Sequence, residues 1–233
     1  MKYDVRCNRI EPRQIKNGDI VGLANITIDD KFSINSIRLI RRHDEDNTYR
    51  IMFPDRPSSQ TQSGYKNIAY PKSSDLYYEI YNAIIDSYYK GETVTINNDA
   101  RDYTVNATVF NRNSVRGYAQ INFGNEFIVD DITIYKDSRQ GREDFVSMPS
   151  YKKNDGTYQN ICNPITKEAY AEFNTAIKNA YQSALETEAA NHKGFEHRSA
   201  SVEDARYANI NQKARDLQTV DDYLKNLDDE YDM

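Results

Sequence analysis

The sequence predicts an α+β protein of two tandem units. Each unit is an antiparallel four-stranded sheet with a short hairpin and one long packing helix, and a polar C-terminal tail follows. Three observations carry this expectation. The chain repeats itself internally, each copy opens with apolar residues at a period of two, and each then changes to a helical period after a proline.

The repeat comes first. Gly22-Leu23-Ala24-Asn25-Ile26 matches Gly117-Tyr118-Ala119-Gln120-Ile121 at an offset of 95, and Phe32, Ile34, Ile37 and Leu39 fall on Phe127, Val129, Ile132 and Ile134. Ile51, Phe53 and Pro54 meet Val146, Met148 and Pro149 at the same offset. Beyond a two-residue difference the offset is 93, and Tyr65, Asn67, Ile68 and Pro71 meet Tyr158, Asn160, Ile161 and Pro164. Tyr77, Glu79, Ala83, Ile84 and Tyr88 then meet Tyr170, Glu172, Ala176, Ile177 and Tyr181. Upstream, Tyr3, Val5 and Cys7 meet Tyr103, Val105 and Ala107 at an offset of 100.

Within each unit Ala24, Ile26 and Ile28, like Ala119, Ile121 and Phe123, alternate with polar residues as a half-buried strand does. The next strand breaks parity in both copies, at Asn35-Ser36 and at Asp130-Asp131. One extra residue there, a β-bulge, would return the apolar side chains to the core face; a strand end and restart is the alternative. Helices follow. Leu76, Tyr77, Ile80, Ala83, Ile84, Ser87 and Tyr88 share one face, broken only by Ser87, and Ala169, Tyr170, Phe173, Ala176, Ile177, Ala180 and Tyr181 share the other. Ser73 and Thr166 stand at the N-cap positions, Asp75 and Glu168 suit the first turns, and Gly91 can end the first helix.

The expected domains are therefore residues 1–91, a linker at 92–102, residues 103–188, and an acidic, largely mobile tail at 189–233. The net charge of −6 belongs to that tail. Residues 1–91 carry 14 basic and 12 acidic groups, residues 92–185 carry 10 and 12, and residues 186–233 carry 6 and 12. The duplicated body is nearly neutral, so local patches decide what it binds. A mean hydropathy of −0.86 and the lack of any long apolar run give no membrane span and no signal peptide.

Unit 2 reads Phe145-Val146-Ser147-Met148-Pro149-Ser150-Tyr151-Lys152-Lys153, then Asp155-Gly156 and Ile161-Cys162-Asn163-Pro164-Ile165. This resembles the signature of the SpoVG family, the bacterial stage V sporulation protein G or septation regulator. Asp131-Ile132-Thr133-Ile134 resembles the strand that precedes it, and unit 1 looks like a diverged copy with Phe53-Pro54, Gly64-Tyr65 and Ile68-Ala69-Tyr70-Pro71. The resemblance implies a non-enzymatic, DNA-binding regulator of the bacterial cytoplasm. Because family members are usually single units that pair as homodimers, it also implies a covalent pseudo-dimer, alone or paired again.

Phosphate contacts need several cations presented together. The family's basic loop maps to Lys152 and Lys153 in unit 2 and to Arg56 in unit 1. A second cluster is Arg38, Arg41 and Arg42, which unit 2 replaces by Thr133, Lys136 and Asp137. Plain surface solvation is the competing reading for each of the six. The family's basic helix end is reduced here to Lys90 in unit 1 and turns acidic in unit 2, at Glu186 and Glu188.

Cys7 and Cys162 match alanines in the other unit, Ala107 and Ala69, which makes them small packed thiols rather than nucleophiles. His43, His192 and His197 form no metal-ligand spacing. No nucleophile turn, phosphate loop or cofactor motif is legible. The partner expected is DNA, with RNA as a variant that no motif separates. The competing reading is a protein–protein adaptor whose acidic tail recruits a partner, with DNA binding weak or lost; the tail's stripe of Val220, Tyr223, Leu224 and Leu227 suits docking on the body or on such a partner.

Overall fold

The computed structural model describes residues 1–43, 48–59, 61–100, 102–139, 143–153 and 155–195, with the side chains of 191–195 excepted. The tail stripe, the His192 side chain, and the tail from residue 196 with His197 lie outside what is described. Both repeats fall within one body, Met1–Glu186, and a second unit begins at Thr187.

The first repeat opens with three long antiparallel strands, β1 (Lys2–Ile15), β2 (Gly18–Ile28) and β3 (Phe32–Arg42). Short pieces follow: β4 (Tyr49–Met52), the hairpin β5 (Asp55–Pro57) and β6 (Tyr65–Asn67), and β7 (Ala69–Pro71). Helix α1 (Ser74–Lys90) closes the repeat. The joining segment holds one more strand, β8 (Val94–Asn97), laid antiparallel on the outer edge of β1. The second repeat runs through β9 (Tyr103–Arg112), β10 (Val115–Phe123), β11 (Phe127–Tyr135), β12 (Phe145–Ser147), the hairpin β13 (Ser150–Lys152) and β14 (Tyr158–Asn160), β15 (Cys162–Pro164) and α2 (Lys167–Phe195).

Local chemistry explains most of these elements. The parity breaks are bulges. Ala24 faces Ile37 while Ile26 faces Ile34, and Ala119 faces Ile132 while Ile121 faces Val129, so one residue opposes two at each site. Ser36 (φ 68°) and Asp131 (φ 64°) take the left-handed conformation that lets the strand resume its face. As a result Ile34, Ile37, Leu39, Val129, Ile132 and Ile134 are all buried. Ser73 Oγ accepts from the Leu76 amide at 3.3 Å and Thr166 Oγ1 from the Ala169 amide at 3.0 Å, which fixes both helix starts. Gly91, at φ 72°, ends α1.

Each helix lies on its own sheet through a repeated contact. Gly22 lies under Tyr88 and Gly117 under Tyr181, and a Cβ on either glycine would press on that ring, at 3.3 Å and 2.9 Å. The polar break in the α1 face has its own role. Ser87, fully buried, accepts the Cys7 amide on its Oγ at 2.8 Å and donates to the Glu92 carbonyl at 2.6 Å.

One feature goes beyond the expected four-stranded sheets. Each repeat lends its strand before the helix to the other repeat's sheet. β7 pairs with β11 through Ala69↔Val129, and β15 pairs with β3 through Cys162↔Ile34. The exchange is reciprocal to the atom. The Asn35 amide donates to the Ile161 carbonyl and the Asp130 amide to the Ile68 carbonyl, both at 2.7 Å. The core is shared in the same way. Phe32 of repeat 1 packs against Phe123 and Phe173 of repeat 2, with ring centroids 5.2 and 5.1 Å apart, and its counterpart Phe127 packs against Phe53 and Tyr3 at 6.0 and 6.4 Å.

Candidate nucleic-acid interface

The six basic residues singled out in the sequence do not form one patch. Arg38 stands on the face of β3 away from the helix, and its Nη2 lies 3.1 Å from Asp55 Oδ1. Arg41 Nη2 lies 3.0 Å from Asp19 Oδ2, which His43 Nε2 also meets at 3.1 Å. Those two partners hold the Asp19 carboxyl below its ordinary value, His43 contributing most. The Arg42 backbone faces Gly18 at the end of β3, and its amide donates to the Thr48 carbonyl at 2.8 Å.

Arg56 is held elsewhere. With Lys66 it reaches from the β5–β6 hairpin of repeat 1 onto the bulge of repeat 2. The Arg56 guanidinium meets Asp131, with Nη2 at 2.8 Å from Oδ1. Lys66 Nζ lies 3.0 Å from Asp130 Oδ2 and 3.4 Å from Asp131 Oδ1. The reciprocal position carries no charge. There the β13–β14 hairpin offers Tyr151 and Gln159, hydrogen-bonded to each other at 2.8 Å, and the bulge offers Asn35 and Ser36. Arg56 is thus part of a clasp between repeats.

Lys152 and Lys153 sit at the end of that second hairpin. Both are exposed, and among the described residues neither makes an ion pair. Of the six, these two present their charge most openly.

A basic site that the sequence reading reduced to Lys90 assembles at the end of α1. Arg9 stacks its guanidinium 4.9 Å above the Tyr88 ring, donating from Nε to the Tyr88 carbonyl at 2.9 Å and from Nη2 to the Tyr89 carbonyl at 3.2 Å. Arg6 Nη1 donates to the Gly91 carbonyl. These cations cap the carbonyl end of the helix, where the dipole favours positive charge. Lys90 adds a third, tied to Asp86 at 2.7 Å across a well-exposed pair that holds it only weakly. Together they line a surface pocket of about 310 Å³ with Tyr88, Tyr89 and Asn8. Arg6 and Arg9 come from β1, some eighty positions before the helix end, so no local motif joins them to Lys90. Their register was the available signal, because β1 must run beside its own helix.

Repeat 2 lacks this site. Arg6, Arg9 and Lys90 correspond to Asn106, Val109 and Ser183, and α2 continues to Phe195 past Glu186 and Glu188. The two thiols are inert packing groups. Cys7 and Cys162 are buried and free, and burial pushes the Cys7 thiol up to about 11 and the Cys162 thiol higher still.

Fold and surface together define a duplicated α+β protein in which two copies of one unit exchange strands, with a cationic helix end on the first copy only. Comparison with known proteins gives that architecture its family. The SpoVG family profile matches residues 1–90 and again residues 101–183, and the chain belongs to the SpoVG family. A protein of Clostridium beijerinckii named "Putative septation protein SpoVG" is 38% identical over 74 residues, which is 32% of this chain and 78% of that one. The protein of the same name from Archaeoglobus fulgidus is 36% identical over 69 residues, 30% of this chain and 78% of its own length. That of Acetivibrio thermocellus is 36% identical over 81 residues, 33% and 83% respectively.

Proposed function

We propose that this chain is a non-enzymatic, nucleic-acid-binding regulator in which two fused SpoVG units act as a covalent pseudo-dimer, with DNA as the ligand. The observation that carries the reading is the cluster of Arg6, Arg9 and Lys90 at the end of α1. Cations there can meet a phosphate backbone without first breaking a buried pair, and the exposed Lys152 and Lys153 supply a second contact. The reciprocal exchange of β7 and β15 supports the pseudo-dimer, because it is the closed two-fold arrangement that two identical units would make. Among the described residues no helix is long and apolar enough to cross a membrane. The relatives are named for septation, so cell division in the cytoplasm is the process and place proposed for this chain.

Binding of a labelled duplex should weaken steeply with salt, since each neutralised phosphate contributes a slope of about −0.9 in log K against log salt. Lys90→Glu and the pair Lys152→Glu and Lys153→Glu should each lower affinity and flatten that slope. Absence of binding to DNA and to RNA at low salt would sink the proposal. The charge segregation favours one other reading, an adaptor whose acidic segment of 12 carboxylates against 6 cations recruits a protein. A tail-dependent pull-down that survives nuclease would select it.

A further inference from the structure

We propose that the outer edge of β9 is a pairing surface, and that its occupant is the β9 strand of a second copy of this chain, joined antiparallel about a two-fold axis at Asn106.

The two repeats serve as controls for each other. In repeat 1 the outer edge of β1 is covered twice. β8 pairs along it, with Tyr3 opposite Ile96 and Val5 opposite Val94, and Ser87 takes the next amide, that of Cys7. In repeat 2 both covers are missing. The counterparts of Val94–Asn97 are residues 187–190, which are helical because α2 runs on, and the counterpart of Ser87 is Ala180. Among the described residues β9 pairs with β10 alone.

The side chains register the difference. Tyr3, Val5 and Cys7 are between 0 and 2% exposed, whereas Tyr103, Val105, Ala107 and Val109 are only half-buried. Repeat 1 also shows that this edge position of the unit accepts an antiparallel strand without altering the sheet behind it.

The occupant follows from the composition of β9. An open edge is normally blunted by lysine, proline or a bulge. From Tyr103 to Val109 this strand has no charge, no proline and no glycine, and its pairing with β10 is regular throughout; the bulge, where Phe110 and Asn111 oppose Arg116, lies beyond that stretch. Cys7 donates outward, so its counterpart Ala107 and the other odd residues present their amides and carbonyls to the open side.

Self-pairing centred on Asn106 is complementary on both faces. It sets Val105 against Ala107 and Tyr103 against Val109 on the apolar face. On the outer face it sets Thr104 against Thr108 and Asn106 against itself, pairs that suit cross-strand contact. No like charges meet anywhere along the ladder. The half-buried apolar residues become the centre of a continuous sheet.

The geometry makes a register-specific test. Asn106 and its copy form a pair whose amides point away from each other, which brings their Cα atoms to about 4.5 Å, within disulfide reach. The full-length chain carrying Asn106→Cys should oxidise to a covalent dimer. The chain carrying Thr104→Cys should not, whereas Thr104→Cys with Thr108→Cys should. Sedimentation of the unmodified chain should show a concentration-dependent dimer. Asn106→Lys, an exposed substitution that puts two ammonium groups face to face on the axis, should weaken it roughly tenfold or more. A chain that stays monomeric up to its solubility limit overturns the proposal. So does Asn106→Cys that cross-links no faster than Thr104→Cys. Either result would follow if another segment of the same chain already covered β9.

Discussion

Replacing Phe32 with alanine should destabilise both repeats at once. The ring sits at the start of β3 in repeat 1 and is fully buried, yet its aromatic neighbours, Phe123 at 5.2 Å and Phe173 at 5.1 Å, belong to repeat 2. Truncating a buried phenylalanine costs about 3–5 kcal/mol through lost transfer energy and the cavity left behind. In a body of this size each kcal/mol lowers the midpoint by about 2–4 °C, so a fall of roughly 6–20 °C is expected. The form of the transition is the sharper test. Strand exchange and the shared core make 1–186 one cooperative unit, so calorimetry should show a single peak that moves as a whole. Phe127→Ala, the reciprocal substitution, should move it by a similar amount, because Phe127 packs against Phe53 and Tyr3 of repeat 1. Two separated transitions, with only one displaced, would refute the reasoning.

Gly117→Ala should destabilise by about 1–3 kcal/mol in urea titration, because the new Cβ would lie 2.6 Å from the Thr108 carbonyl oxygen, which is backbone and cannot turn aside. Gly22→Ala should cost less, since its nearest neighbour is the Cys7 thiol at 2.9 Å; equal losses at the two sites would count against this account. The thiols give a pH dependence. The folded Cys7 thiol is held at about 11, above the ~8.5 of an exposed thiol, so the folded state keeps its proton where the unfolded state loses it. That contribution is intact below the unfolded value and is lost as pH climbs from there through the folded one, and Cys162 acts in the same direction. Both cysteines should resist a thiol reagent at neutral pH until denaturant is added, and rapid labelling of the folded chain would contradict the packing described.

Much of the fold is legible in the sequence because periodicity reports which face of a strand or helix is buried. The bulges at Ser36 and Asp131 and the helix faces through Ile80 and Phe173 follow from that signal, and the caps at Ser73 and Thr166 from the hydroxyl residues just ahead of each helix. Periodicity does not report which neighbour covers a face or an edge. Ala69–Pro71 and Cys162–Pro164 are three-residue strands, too short for a pattern, and nothing local says that they cross to the other repeat. The surface divides in the same way. Lys152 and Lys153 are exposed at a hairpin end, as a local motif suggests, whereas Arg56 is drawn into the clasp by a carboxylate 75 positions away, that of Asp131. The pocket at the end of α1 needs β1 and the helix together, a product of topology that no window of sequence contains.

The clasp on the Asp130–Asp131 bulge means that the halves are no longer interchangeable. Two copies of repeat 1 would set Arg56 and Lys66 against Asn35 and Ser36 at both reciprocal positions, leaving four cations unmatched. Two copies of repeat 2 would set Asp130 and Asp131 against Tyr151 and Gln159 at both positions, leaving four anions unmatched. Only the mixed pair is neutral. Along this contact each half of the chain is thus complementary to the other and not to a copy of itself. The first can keep a cationic helix end while the second gives it up, a division of labour closed to a dimer of identical chains.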